Sequence, residues 1–257
     1  MKKSKAEQIV YGFHAVREAL SLWAPTQEDE LYLARRDEGR LKGLLQKFKK
    51  HKGTIKHMSY AQLTDLCQSE NHQGIVLVRK SPLEVPKLTK QSLFEERNSL
   101  IYVGLERVQD PRNLGAALRS SLALGVAGII LTIHGTAPYS ASVLKSSATA
   151  MLKLPVLRIS SMASFLQELK DKNPSFYIIG ADLEGVPLRK DLVEEWQSQS
   201  RPLLLVFGCE EGMADLTKKR CDILVKIPLN EKVESYNLSV ACALLLYEIQ
   251  RNKLLIL

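Results

Sequence analysis

The sequence predicts a two-part α/β protein: a small α/β domain followed by a larger one with a mostly parallel sheet covered on both faces. Three observations point there. Apolar runs recur at 101–105, 128–133, 154–159, 176–181, 203–207 and 223–229. Helix-compatible stretches at 114–124, 139–151, 161–170 and 189–197 lie between most of them, the pattern of strands buried on both sides. A shorter alternation precedes these runs, and a Pro- and charge-rich stretch separates the two parts. With 257 residues, 45% apolar and 25% charged, the chain has room for a sizeable core and the composition of a globular protein.

In the first part, residues 9–20 have an apolar stripe through Val16 and Leu20 that suits a helix, and a loop follows from Ala24 to Glu30. Glu30–Ala34 reads as a strand, 39–50 as a basic helix, 54–58 as a strand, 59–68 as a helix and 74–78 as a compact strand. These elements define a small domain over residues 1–80. Residues 81–98, with two prolines and little alternation, read as a linker whose second half has room for a short helix. Residues 99–257 form the larger domain, closed by a Leu- and Ala-rich helix at 236–250.

The formal net charge is +8, and it is uneven: residues 1–100 hold 18 basic and 12 acidic side chains, residues 101–257 hold 18 and 16. Such an excess favours anionic partners, with a plain solvated basic face as the alternative. Cys67, Cys209, Cys221 and Cys242 include no CxxC pair and form no metal-spaced cluster with the histidines, so buried free thiols in a reducing compartment and no metal are expected. No stretch approaches 18 consecutive apolar residues, and the Lys-rich start lacks the apolar run of a secretory signal. A cytoplasmic protein with no membrane partner is the expectation.

Ligands of parallel sheets sit outside the carboxyl ends of strands, which singles out three loops. In Glu106 to Gly115, Asn113 can cap the next helix, and Arg119 on that helix can hold a phosphate or carboxylate. A capped helix with a salt-bridged surface Arg explains the same residues. Gly208-Cys209-Glu210-Glu211-Gly212-Met213 follows the run 203–207, and its glycines permit close backbone approach to a ligand. It contains no GxGxxG or Walker sequence. Glu210 there suits a cap, a salt bridge or a basic ligand. In Ile227 to Ser239 a strand ends at Pro228, Ser235 is a natural N-cap for the last helix, and Asn237 faces its first turn.

Together the three loops resemble the three motifs of the SpoU family of RNA ribose 2′-O-methyltransferases, within the SPOUT superfamily. Asp110-Pro111-Arg112-Asn113-Leu114-Gly115 through Arg119 looks like the first motif, Phe207-Gly208-Cys209-Glu210 like the opening of the second, and Ile227-Pro228 with Ser235-Tyr236-Asn237-Leu238-Ser239 like the third. Tyr11-Gly12 through Leu20 and His72-Gln73-Gly74 resemble the substrate-binding domain that precedes many such catalytic domains. The resemblance implies a deep trefoil knot, a homodimer, S-adenosylmethionine as methyl donor and structured RNA, foremost rRNA, as substrate. An RNA-binding member without transferase activity and a tRNA 2′-O-methyltransferase remain alternatives. By the same resemblance Gly208, Ile227 and Tyr236 contact the donor through the backbone. Arg119 lies near the acceptor ribose, often across the dimer interface, as a phosphate or ribose clamp, with a role in removing the 2′-proton as the alternative. Asn113, Glu210, Ser235 and Asn237 position groups and hold the loops. The sequence departs from the pattern in three places: the second motif is one residue short before Gly212, Glu231 stands at a usual glycine and Tyr236 at a usual leucine.

Overall fold

The computed structural model describes residues 8–22, 25–34, 38–80, 85–198, 200–209 and 211–254. They fall into two compact units, one of residues 1–84 with 139–152, the other of residues 85–138 with 153–257.

The first unit opens with β1 (Gln8–Tyr11) and α1 (Phe13–Leu22). The helix expected over 9–20 therefore begins only at Phe13. Gly12, at φ +88, breaks the chain there, and Gln8–Tyr11 pairs antiparallel along Arg79–Val76, so sheet pairing overrides the helical stripe. β2 (Glu30–Leu33), α2 (Glu38–Lys50), β3 (Thr54–His57), α3 (Tyr60–Cys67) and β4 (Ile75–Arg79) follow. The sheet order is β1-β4-β2-β3, with β3 parallel to β2 and the other pairs antiparallel.

The His72-Gln73-Gly74 segment locks this unit together. Buried His72 accepts from the Gly74 amide through Nδ1 at 3.0 Å, so its Nε2–H is the donor toward Thr64 Oγ1 at 3.1 Å. Gln73, at φ +55, presents Oε1 to the Phe13 amide at 3.0 Å and satisfies an otherwise open donor at the start of α1.

The second unit adds α4 (Lys90–Phe94), β5 (Ile101–Leu105), α5 (Pro111–Ala123) and β6 (Gly128–Thr132). After α6 (Ala141–Ser146) come β7 (Val156–Ile159), α7 (Met162–Lys172), β8 (Tyr177–Pro187), α8 (Lys190–Ser198), β9 (Leu203–Phe207), α9 (Asp215–Lys218), β10 (Ile223–Lys226) and α10 (Leu238–Leu254). The sheet runs β10-β8-β9-β5-β6-β7, and every pairing in it is parallel. All residues of β5, β6 and β9 are buried, as strands covered on both faces must be. On one side Phe165, Leu166 and Phe176 pack against Ile130, Ile178 and Leu204.

Two stretches group differently from the expected boundaries. Of the expected linker 81–98, residues 81–84 lie outside the described residues. The remainder belongs to the second unit: Val156 N donates to Pro86 O at 2.9 Å, Leu88 N donates to Val156 O at 3.1 Å, and α4 buries Leu93. Residues 139–152, expected in the larger domain, group with the first unit. Lys145 of α6 donates to Asn71 O at 3.3 Å and lies 5.4 Å from the Tyr11 ring centroid. Burial lowers the pKa of Lys145.

Replacing Gln73 with Ala removes the acceptor at the α1 N-terminus and is expected to lower the stability of the first unit by about 1 kcal/mol, read from amide exchange of α1 and β4. Unchanged protection in both elements would rule out the lock.

Candidate active site

Parallel register brings the three loops together. Leu105 and Phe207, the last residues of β5 and β9, lie side by side with Ala181 of β8, and β10 runs parallel to β8, so the loops after β5, β9 and β10 leave the sheet at the same end. β10 pairs with β8 at Gly180↔Leu224 and resumes at Val186↔Val225, which bows residues 181–185 out of the ladder. Gly185 is required at that bow, because a Cβ there would stand 2.5 Å from the Leu224 carbonyl carbon and the Val225 nitrogen. A cavity of about 470 Å³ opens here, with walls that include Asp182, Glu184, Gly208, Ile227, Leu229, Ser235, Tyr236, Asn237 and Leu238.

The loop after β9 turns back immediately. A Cβ on Gly208 would lie 2.3 Å from the Gly212 carbonyl carbon and the Met213 nitrogen, so the turn admits only glycine. Gly212 N donates to Cys209 O at 2.8 Å, the Cys209 thiol donates to Gly212 O at 3.6 Å, and Gly212 sits at φ +89. The shortened second motif thus closes as a tight turn. Glu210 lies outside the described residues.

Glu106, a residue the sequence reading passed over, ties the first loop to the second. It is 5% exposed. Its Oε2 accepts from Ala214 N at 3.0 Å, its Oε1 accepts from Thr217 Oγ1 at 2.9 Å, and its own amide donates to Phe207 O at 2.9 Å. The carboxylate therefore supplies the side-chain acceptor that Ala214, at the N-cap of α9, lacks. An acidic residue directly after a fully buried parallel strand was the available signal.

The expected caps of α5 and α10 are each corrected to another residue. Asp110, not Asn113, caps α5: its side chain accepts from Arg112 N at 2.8 Å, with Pro111 in the first turn. The helix thus starts before Asn113, whose Oδ1 is instead available to accept from Asn237 Nδ2 at 2.9 Å. Asn237, not Ser235, caps α10, accepting through Oδ1 from Ser239 N at 2.9 Å and Ser239 Oγ at 2.7 Å. Ser235 lies three residues before α10 and lines the cavity. The loop carrying it is closed by Tyr236 Oη, which donates to Pro228 O at 3.0 Å. Glu231 is exposed and outside the cavity lining, so its side chain does not fill the space.

Gly208, Ile227, Ser235, Tyr236 and Asn237 therefore share one cavity, and Asn113 is bonded to that group. Arg119 stands apart: it is exposed on α5, outside the lining, and enters no ion pair among the described residues. Lys218, which also lines the cavity, donates to Asp182 Oδ2 and Glu184 Oε2, each at 3.0 Å. Those hydrogen bonds, Glu184 first, hold its pKa above the ordinary lysine value, so Lys218 stays charged. Burial pushes the thiols of Cys221 and Cys242 up to about 12, which leaves them protonated at neutral pH. Among the described residues, no group of three or more His, Cys, Asp and Glu side chains is arranged to hold a metal ion.

Comparison with known proteins gives a consistent picture. Residues 100–247 match the SpoU rRNA Methylase family, and residues 9–84 match an RNA 2′-O ribose methyltransferase substrate binding domain. A 23S rRNA (guanosine-2′-O-)-methyltransferase, RlmB, of Vibrio cholerae is 31% identical over 97% of this chain and 98% of its own. The RlmB of Pasteurella multocida is 33% identical over 95% and 98%. Among solved structures, the SpoU methyltransferase AviRb of Streptomyces viridochromogenes, in complex with its cofactor AdoMet, shares the fold with a TM-score of 0.73 at 23% identity, over 96% of this chain and 91% of its own. An AdoMet-bound rRNA methyltransferase of Sinorhizobium meliloti gives 0.72 at 21%, over 96% and 87%.

Replacing Glu106 with Ala strands the Ala214 amide and the Thr217 hydroxyl and is expected to destabilise the second unit by about 1–3 kcal/mol, measured as a shift in its urea midpoint. A midpoint equal to that of the unaltered protein would show that water serves those donors equally well.

Proposed function

This chain belongs to the SpoU rRNA methylase family, and we propose that it transfers a methyl group from S-adenosylmethionine to a ribose 2′-oxygen of structured rRNA, a guanosine of 23S rRNA in the first instance. The observation that supports this reading most directly is the cavity walled by the bowed residues 181–184 of β8 and by the loops after β9 and β10, with Asn237 on its wall bonded to Asn113.

The cavity suits the donor. Its volume, about 470 Å³, lies in the small-molecule range. Ile227, Leu229 and Leu238 offer apolar surface for a purine, and Asp182, Glu184 and Lys218 offer charge for an amino-acid end. When bound, the donor supplies an electrophilic methyl carbon on a positively charged sulfur. Gly208, Ile227 and Tyr236 would hold it through backbone groups. Asn113, Glu210, Ser235 and Asn237 would position groups and hold the loops, helping to align the acceptor oxygen with the donor's methyl group. Arg119, whose planar guanidinium suits an anionic partner, would clamp the phosphate or ribose beside the acceptor and assist departure of the 2′-proton.

A homodimer completes the proposal, with Arg119 supplied to the cavity of the other protomer. Support comes from Val240, Leu244 and Tyr247, exposed at 45%, 40% and 55% at the i, i+4, i+7 spacing of one α10 face. The deep trefoil knot and a cytoplasmic setting are part of the same reading. So is the division of labour, with residues 1–80 docking RNA and residues 99–257 transferring the methyl group. Among the described residues no helix is long and apolar enough to cross a membrane.

Purified protein is expected to methylate an unmodified 23S rRNA transcript, and Arg119→Ala to lower kcat by roughly 100-fold or more while donor affinity by calorimetry stays within about twofold. Undiminished turnover in that variant would exclude the clamp. Tyr247→Lys is expected to shift the protein to monomers in sedimentation and to abolish transfer with it; an active monomer would count against a shared site.

A further inference from the structure

Positive charge is far more concentrated than the whole-chain count shows. Residues 39–57 hold seven Lys and Arg and no Asp or Glu, whereas the other 238 residues hold 29 basic and 28 acidic side chains. This stretch forms most of α2, the turn after it and β3.

Local packing explains why the charge stands outward on a fixed surface. Leu41 and Phe48, seven residues apart on one side of α2, are buried. Lys42 and Lys49, each one residue further on, repeat along an exposed flank, roughly 10 Å apart along the axis. Exposed Lys50 and Lys52 extend the row into the turn. That turn is held by His51 N and Gly53 N donating to Phe48 O at 3.2 and 3.4 Å and by Lys52 N donating to Lys49 O at 3.0 Å. Gly53 lies so close to the Phe48 ring that a Cβ would stand 2.3 Å from it. β3 continues the surface as the edge strand of its sheet. Lys56 on it is already paired with Glu30 at 2.8 Å. Lys42, Lys49, Lys50 and Lys52 enter no ion pair among the described residues. Like charges gathered without counter-charges repel one another, and an anionic partner relieves that repulsion.

We propose that the α2–β3 face, through Lys42, Lys49, Lys50 and Lys52, docks the phosphate backbone of the RNA substrate. The proposal rests on the reading of the chain as an RNA methyltransferase. Backbone docking follows from the side chains present: lysine is a point-charge partner for phosphate, and the one Phe, Tyr or Trp in residues 39–57, Phe48, is buried and offers no stacking platform. A face of exposed lysines with no exposed Phe, Tyr or Trp suits helical RNA, whose phosphates are outward and whose bases are stacked inside.

The test is binding of full-length protein, without donor, to an RNA duplex of about 20 base pairs and arbitrary sequence, from about 50 to 200 mM NaCl. Lys42→Gln/Lys49→Gln/Lys50→Gln/Lys52→Gln is expected to weaken binding at least tenfold and to make the logarithmic salt slope shallower by about 3, at roughly 0.7–0.9 per phosphate contact. Donor affinity stays as in the unaltered protein. A control with the same change in charge, Lys87→Gln/Lys172→Gln/Lys190→Gln/Lys219→Gln, keeps both the affinity and the slope. An unaltered slope in the first variant, or equal losses in both, overturns the docking face. Methyl transfer with duplex binding independent of the four lysines rejects the face alone. Duplex binding that depends on them, without methyl transfer to any rRNA, rejects the methyltransferase reading alone.

Discussion

Parallel register around β9 is the constraint on which the candidate site depends. With Leu105 and Phe207 aligned at the ends of β5 and β9 beside Ala181 of β8, the loops after β5 and β9 emerge together next to the bowed part of β8. A slip of one residue would reverse the faces of every side chain in the strand and take Glu106 away from α9. Glu106 converts that adjacency into a bonded unit. Its two carboxylate oxygens hold Ala214 N and Thr217 Oγ1, and hydrogen bonds to charged groups contribute about 1.5–3 kcal/mol each. The loop after β9 is thereby fixed from the loop after β5, and Asn237 fixes the third loop to the first through Asn113.

The departures from the family pattern are absorbed by local chemistry. The shortened second motif closes because Gly208 and Gly212 permit a turn too tight for a Cβ at Gly208. Tyr236, where a leucine is usual, adds a hydrogen bond to Pro228 O that closes its own loop. Glu231 is exposed and is not among the residues that line the cavity. Charge is divided in a complementary way: residues 39–57 hold nearly all the excess and the rest of the chain is close to neutral. Attraction to phosphates is long-ranged and insensitive to sequence, whereas methyl transfer demands short-range alignment; under the proposed function these two demands fall on different residues.

Much of this was legible in the residues. The apolar runs 101–105 and 203–207 coincide with β5 and β9, because strands buried on both faces leave an uninterrupted apolar signature. Residues 9–11 fit a helical period as well as an extended one, because their side chains are apolar, and only the partner strand β4 decides between them. The caps on α5 and α10 were misplaced by three and two residues, since Asp110, Asn113, Ser235 and Asn237 are all good caps and backbone geometry chooses among them. Glu106 went unassigned because its partners lie 108 and 111 residues away. The three-loop constellation was legible through its resemblance to the SpoU motifs, not through spacing alone.

The most direct measurement is mass-spectrometric mapping of 2′-O-methylated nucleotides in 23S rRNA from cells with and without this chain. One methylated guanosine is expected to disappear with the protein, to return with the unaltered chain and to stay absent with Arg119→Ala. Identical maps in the presence and absence of the protein would contradict the assignment of rRNA methyl transfer to this cavity.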